Sequence, residues 1–387
     1  MSVFHQMGHH SNNLIDLPAM AAYAGAIFSP INCSQQEMTE QIIQARTART
    51  GFEVVLDPQL YVPATERGKL REWSYFPRDV DTADLSSSAW WSDLNEKLVS
   101  VCQQMKVDSI CAPAVIPKAF NNQYYSSLTA VGTELTHSLS GTGIQVLQTA
   151  VVGLAELATE SRPLQIASII SRTDADRVYL IFVGTTPPRR ELADGDELKG
   201  AMQLITALEG CDLPVLVGFC SSDLILWKTA GASACASGKF FNLRRFTRQR
   251  FEEPSGEGGG QLSYWFEESL LAFLRQGDLL RVRREKLIGD ASKHNPFCQE
   301  ILANLDQARQ AGAKPKPWLA SGWRQFLYWF ADVEGRLTSG ESTAAGLLTG
   351  ADENWSKLDK AKVLMEERQN DGSWIRSWRN IITEYSA

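Results

Sequence analysis

Two groups of residues in this 387-residue chain carry side chains suited to chemistry. The first is cationic. Arg189 and Arg190 follow Pro187-Pro188, while Lys239, Asn242, Arg244 and Arg245 follow Gly238. Guanidinium forks match the oxygens of phosphate and carboxylate, and a glycine lets backbone amides approach an anion closely. Gly238, Lys239, Asn242, Arg244, Arg245, Arg189 and Arg190 are therefore the candidate anion-binding residues. The competing reading pairs these arginines with Glu191, Asp194, Glu252 and Glu253 in a surface network. The second group is a single residue, Asp57, which closes the largely apolar run 52–56 just before Pro58. A carboxylate there suits a general acid or base, or a nucleophile. An Asp before Pro equally caps a turn. Asp223, after Ser221 and Ser222, reads as a helix N-cap, and Glu267 and Glu268 as acids opening a helix.

Absences narrow the chemistry. Beyond His5, His9 and His10 the chain has only His137 and His294, neither at an expected strand end. This argues against a histidine-based hydrolase or a multi-histidine metal centre. No Walker, HExxH or GxSxG sequence occurs. The seven cysteines include no CxxC, so they read as buried hydrophobes in a reducing compartment. Neither a metal nor a cofactor is called for.

The elements that must position these residues alternate along the chain. Strands are expected at 22–29, 51–58, 107–115, 143–152, 177–183, 214–219 and 231–237, with 261–265 as a short eighth. Helices fall between them: Ser34 and Glu37 form a capping box, and Leu198, Met202 and Ile205 recur at helical spacing. Such alternation predicts a parallel α/β fold, and the number of units favours a closed (β/α)8 barrel, the TIM-barrel architecture. In a barrel, Asp57 and both arginine clusters stand at the carboxyl ends of strands, where active sites lie. Residues 1–18 read as a polar, solvated arm, 19–290 as the barrel, and 58–88 as an insertion fit to be a lid. Residues 252–260 read as a flexible hairpin or loop, and Phe266, Leu270, Phe273 and Leu274 as one helix face. Residues 291–387 predict a helical, tryptophan-rich C-terminal extension. It packs on the barrel or offers a surface to a protein partner.

The charge balance, 38 basic against 45 acidic residues, gives a net charge of −7. Any polyanion site must then be a local patch. The start of the chain has no signal-peptide pattern and no run spans a membrane, which predicts a cytoplasmic location without a membrane partner.

The stretch VLVGFCSSDLILWKTAGASACASGKFFNLRRF resembles the late barrel strands of tRNA-guanine transglycosylases at Gly218, Asp223-Leu224, Gly231 and 242–245. That resemblance implies a (β/α)8 barrel exchanging a purine-like base in nucleic acid. The sequence departs from it in two ways. The family's nucleophilic Asp lies in the strand occupied here by 234–237, which holds no Asp, and its zinc-binding cysteines are missing. Two readings follow. One is a barrel binding a phosphorylated ligand, nucleotide or nucleic acid at its mouth, with transglycosylase-like chemistry on Asp57. The other is a catalytically silent barrel in a nucleic-acid-handling assembly, with its mouth plugged by side chains.

Overall fold

Eight parallel strands close into a barrel in sequential order, β1 to β8, in a computed structural model describing residues 3–15, 18–63, 65, 67–77, 87–252, 262–367 and 370–385. The strands are β1 (Val3–Gln6), β2 (Gly25–Phe28), β3 (Glu53–Leu56), β4 (Ser109–Cys111), β5 (Gln145–Gly153), β6 (Arg177–Val183), β7 (Val215–Val217) and β8 (Ala234–Ser237). Helices α1 (Gln35–Ala48), α2 (Ser88–Met105), α3 (Asn122–Leu139), α4 (Leu154–Leu157), α5 (Arg162–Ile170), α6 (Gly195–Glu209) and α7 (Leu224–Thr229) form the connections. The capping box at Ser34 and Glu37 is present and opens α1. The expected α/β barrel is therefore the fold.

The barrel closes at a place the sequence reading missed. Val3–Gln6, inside the supposed polar arm, is β1, pairing with β2 on one side and β8 on the other. Val3, Phe4, His5, Gln6 and Met7 are all buried. Two polar residues in a four-residue strand hid it, because the signal depends on apolar alternation over four to eight residues. The segment expected as an eighth barrel strand lies elsewhere. β9 (Trp265–Glu267) and β10 (Ala272–Leu274) make an antiparallel hairpin outside the barrel. The expected helix face at Phe266, Leu270, Phe273 and Leu274 is this hairpin instead. Leu271 has φ 50°, a left-handed conformation that ends any continuous helix there. Most of the loop at 252–260 lies outside the described residues, as does 78–86 of the 58–88 insertion. In the described part of that insertion Leu60, Tyr61, Leu70, Trp73 and Tyr75 are buried.

After β10, helices α8 (Gln276–Arg284), α9 (Asp290–His294), α10 (Pro296–Gln310), α11 (Leu319–Ser339), α12 (Ala344–Lys360) and α13 (Ser373–Tyr385) complete the chain. Their tryptophans face the rest of the molecule. Trp378 Nε1 donates to Leu192 O at 2.7 Å, and Trp355 Nε1 to Leu270 O at 2.9 Å. Tyr23 of the barrel donates to Leu327 O of α11 at 3.0 Å. Trp318, Trp329, Trp355, Trp374 and Trp378 are all buried. Among the described residues no helix is long and apolar enough to cross a membrane.

Candidate anion site at the barrel mouth

The barrel interior is filled in layers. At its base Arg177 donates to Glu53 Oε2 at 3.3 Å and to Ser109 Oγ at 3.0 Å, joining β6 to β3 and β4. Above this, Tyr179 donates to Gln6 Oε1 at 3.0 Å, and the ring stands where any side chain on Gly218 would have to go. Asp57 lies higher still, fully buried. Its carboxylate accepts from Gln59 N at 3.0 Å and from the Tyr61 hydroxyl at 2.9 Å. Tyr61 packs edge-on against Phe246 and Phe251, with centroids 5.2 and 5.1 Å away, and Phe246 against Phe219 at 5.1 Å. These rings plug the mouth over Asp57. Burial pushes the Asp57 carboxyl up to about 7, against the opposing pull of the Gln59 amide, Tyr61 and Arg250.

A cleft of about 660 Å³ lies beyond this aromatic plug, between the strand ends and α11. Five cationic side chains line it: Arg67, Arg189, Lys239, Arg244 and Arg250. No carboxylate does among the described residues. His9, Asn32 and Asn242 add polar groups, and Phe240, Phe241, Tyr264 and Trp323 add rings. Lys239 is the most telling of these residues. Its ammonium lies 4.9 Å from the Phe240 ring centroid and 4.8 Å from that of Trp323, and it donates to His10 O at 3.2 Å. Burial pulls its pKa down to about 8, the signature of a cation held without a counter-charge. Arg250 is buried on the cleft floor, donates to Ser29 Oγ at 3.2 Å, and leaves Nε unpartnered. Asn242 has its buried Oδ1 unpartnered as well.

The residues expected at the site fall into four sets. Arg189, Lys239, Asn242 and Arg244 line the cleft together. Arg189 is exposed and shares Tyr264 OH (2.8 Å) and Glu367 Oε1 (3.4 Å), so part of its charge is already answered. Arg244 contributes its edge only: Nε donates to Gly238 O and Nη2 to Lys239 O, each at 2.9 Å. Its guanidinium carbon sits 3.7 Å from the Phe326 ring centroid. Gly238 lies under this turn. A Cβ on it would approach Leu243 Cβ to 2.5 Å and Gln6 O to 2.6 Å, which explains the glycine by close packing.

Arg190 lines a neighbouring cavity of about 790 Å³ instead. Arg245 is buried between two acids, 3.5 Å from Glu191 Oε2 and 3.3 Å from Asp223 Oδ2. Burial pushes both carboxyls up while the shared guanidinium pulls them down. The Glu191 pairing anticipated by the competing reading thus holds for Arg245, though as a buried contact. Asp223 also accepts from Ser221 N at 2.7 Å, two residues upstream, so its side chain does not make the N-cap bond to α7 that the sequence suggested. Sequence reasoning missed Arg67, His9, Arg250 and Trp323 as cleft residues. Arg250 belongs to the same basic tail as Arg244, six residues on, and that spacing was its available signal. Arg67 comes from the long excursion after β3 and carried none.

No family model matches the chain, and no curated protein matches it. Among solved structures it is similar to a GH18 chitinase from Pseudoalteromonas aurantia. Identity there is 11%, over 62% of this chain and 95% of that one, with a TM-score of 0.40. It is also similar to a chitinase from Chromobacterium violaceum ATCC 12472, at 11% identity over 56% and 69%, TM-score 0.37. An L-ribulose 3-epimerase aligns at 9% identity over 94% of this chain and 98% of that one, TM-score 0.40. These likenesses carry no residue and no activity across to this chain. The (β/α)8 barrel implied by the transglycosylase resemblance is present, and none of these matches names that family.

Proposed function

We propose that this protein binds a phosphorylated ligand, a nucleotide or a stretch of nucleic acid, in the basic cleft at the carboxyl end of its barrel. One observation carries the reading: five cations line the cleft with no carboxylate among its described lining residues, in a chain of net charge −7. Three of the five, Lys239, Arg244 and Arg250, are buried without a carboxylate bonded to them among the described residues; such burial costs free energy, and a bound anion offsets that cost. The rings of Phe240, Phe241, Tyr264 and Trp323 suit a ligand carrying a flat base beside its phosphate.

Binding without catalysis is the form of this reading that fits Asp57. The carboxylate is sealed beneath Tyr61, Phe246 and Phe251, and hydrogen-bonded within the protein. Plugging of the mouth also favours the second reading, a catalytically silent barrel serving a nucleic-acid-handling assembly. The buried tryptophans of α11 to α13 leave little apolar surface there for such a partner, so the cleft is its better docking place.

The experiment is a titration of fluorescein-labelled oligothymidylate and, separately, of ADP, at several salt concentrations. The Arg189→Gln/Lys239→Gln variant is compared with wild type. Wild type should bind with a salt slope set by the phosphates it contacts. The variant should bind roughly tenfold or more weakly, its slope lower by about 1.4 for the single strand. Equal affinities in the two proteins would sink the reading.

A further inference from the structure

Asp57 acts electrostatically on Arg250 of the cleft without itself reaching the cleft, as Glu191 does on Arg244. Arg250 is the connection. Its guanidinium lines the cleft and donates to Ser29 Oγ at 3.2 Å, Ser29 donates to Gln59 Oε1 at 2.8 Å, and Gln59 N donates to Asp57 at 3.0 Å. The cation and the carboxylate are thus joined through two residues, with no direct ion pair among the described residues, and each shifts the other. The groups facing Asp57 come from every surrounding element. Tyr61 and Tyr75 come from the excursion after β3, Cys111 from β4, Tyr179 from β6 and Arg250 from the segment after β8. Burial pushes the three phenols and the thiol far up, so they stay neutral. Arg67 acts on Arg250 from above as a second cation. Within this cluster, Asp57 alone changes charge near neutrality.

We propose that Asp57 is a buried charge regulator of the anion cleft, through Arg250. Ionised, it offsets the Arg250 charge and weakens the hold on an anion; protonated, it leaves that charge to the ligand. The inference rests on the reading of the cleft as an anion site. The sign is fixed: a carboxyl held near 7 loses its proton as pH rises, so anion affinity falls through that range. By reciprocity, binding an anion draws a proton onto Asp57.

Sulfate is the suitable probe, because it does not titrate between pH 6 and 8.5, and titration calorimetry reads its binding. Lys239 titrates nearby, so the measurement uses a Lys239→Arg background, whose guanidinium keeps its charge. One charge within a Debye length, at an effective dielectric near 20, changes affinity by roughly fivefold to tenfold. The dissociation constant should therefore rise by about that factor from pH 6 to 8.5. Adding Asp57→Asn should flatten the rise, and more than Glu191→Gln, which acts on the cleft only through Arg244. The Lys239→Arg protein gives a second reading: calorimetry in two buffers of different ionisation heat should show proton uptake on sulfate binding near pH 7, which Asp57→Asn should remove. An undiminished pH dependence with Asp57→Asn, or zero proton uptake, overturns the inference while the anion site stands. Absence of sulfate binding at every pH, in every variant, removes the anion site and the inference together.

Discussion

At the scale of single residues, the cleft separates charges that bind from charges that hold. Arg244 belongs largely to the second kind. It caps two carbonyls at the end of β8 and stacks on Phe326 of α11, Phe273 of β10 and Phe241. Arg244→Met keeps the apolar stem but orphans both carbonyls and removes the stacking. It should cost about 2–4 kcal/mol by urea denaturation, and an unchanged midpoint would contradict this role. Asp57 makes a different prediction, in pH. Its folded value of about 7 exceeds the ordinary 3.8, so its contribution to stability is full below about pH 4 and is lost as pH rises through 7. The Asp57→Asn variant lacks this loss. Relative to wild type it should gain about 3 kcal/mol between pH 5 and 8, within a ceiling of about 4. A pH-independent difference between the two proteins would show that the carboxyl ionises normally in the folded state.

At the scale of elements, the hairpin of β9 and β10 shows where sequence and structure part. Phe266, Leu270, Phe273 and Leu274 have helical spacing, yet the backbone turns at Leu271 and the strands find a surrogate partner in a side chain. Gln325 of α11 accepts from Phe266 N at 2.9 Å and donates to Phe266 O at 2.5 Å, as a neighbouring strand would. Glu267 fixes the turn by accepting from Trp265 Nε1 and from the amides of Ser269 and Gly289. Nothing local to the hairpin announces a partner 59 residues away. Gln325→Leu should leave both backbone groups buried and unpaired, at a cost of about 2–3 kcal/mol in a denaturation midpoint. The same limit governs β1, whose pairing with β2 and β8 is a tertiary fact hidden behind His5 and Gln6. Strands with apolar runs, β3 and β5 to β7, were legible because their pattern is local. The cleft was half legible for a similar reason. Lys239, Asn242 and Arg244 share one strand end, whereas Arg67 reaches the cleft from a loop whose course no periodicity specifies.

At the scale of the whole molecule, the remaining question is whether the barrel and the C-terminal helices are separate thermodynamic units. The expected division near residue 290 follows a change of pattern, from alternating strands and helices to helices alone. Contacts across that division argue for coupling. The Tyr23 hydroxyl is buried only because α11 supplies Leu327 O, and Trp378 reaches Leu192 beside β6. Arg244 leaves the barrel to sit among rings of the hairpin and α11, with only its edge at the cleft. Peeling the helices away would strand this guanidinium against a bare barrel wall and expose the β8 turn that forms the cleft. Calorimetry of the intact chain should therefore show one transition, with calorimetric and van't Hoff enthalpies in a ratio near 1. Arg244→Met should lower that single midpoint without splitting it. Two resolved transitions would mean that the helices melt independently, and that the cleft between them and the barrel is an interface that opens before either part unfolds.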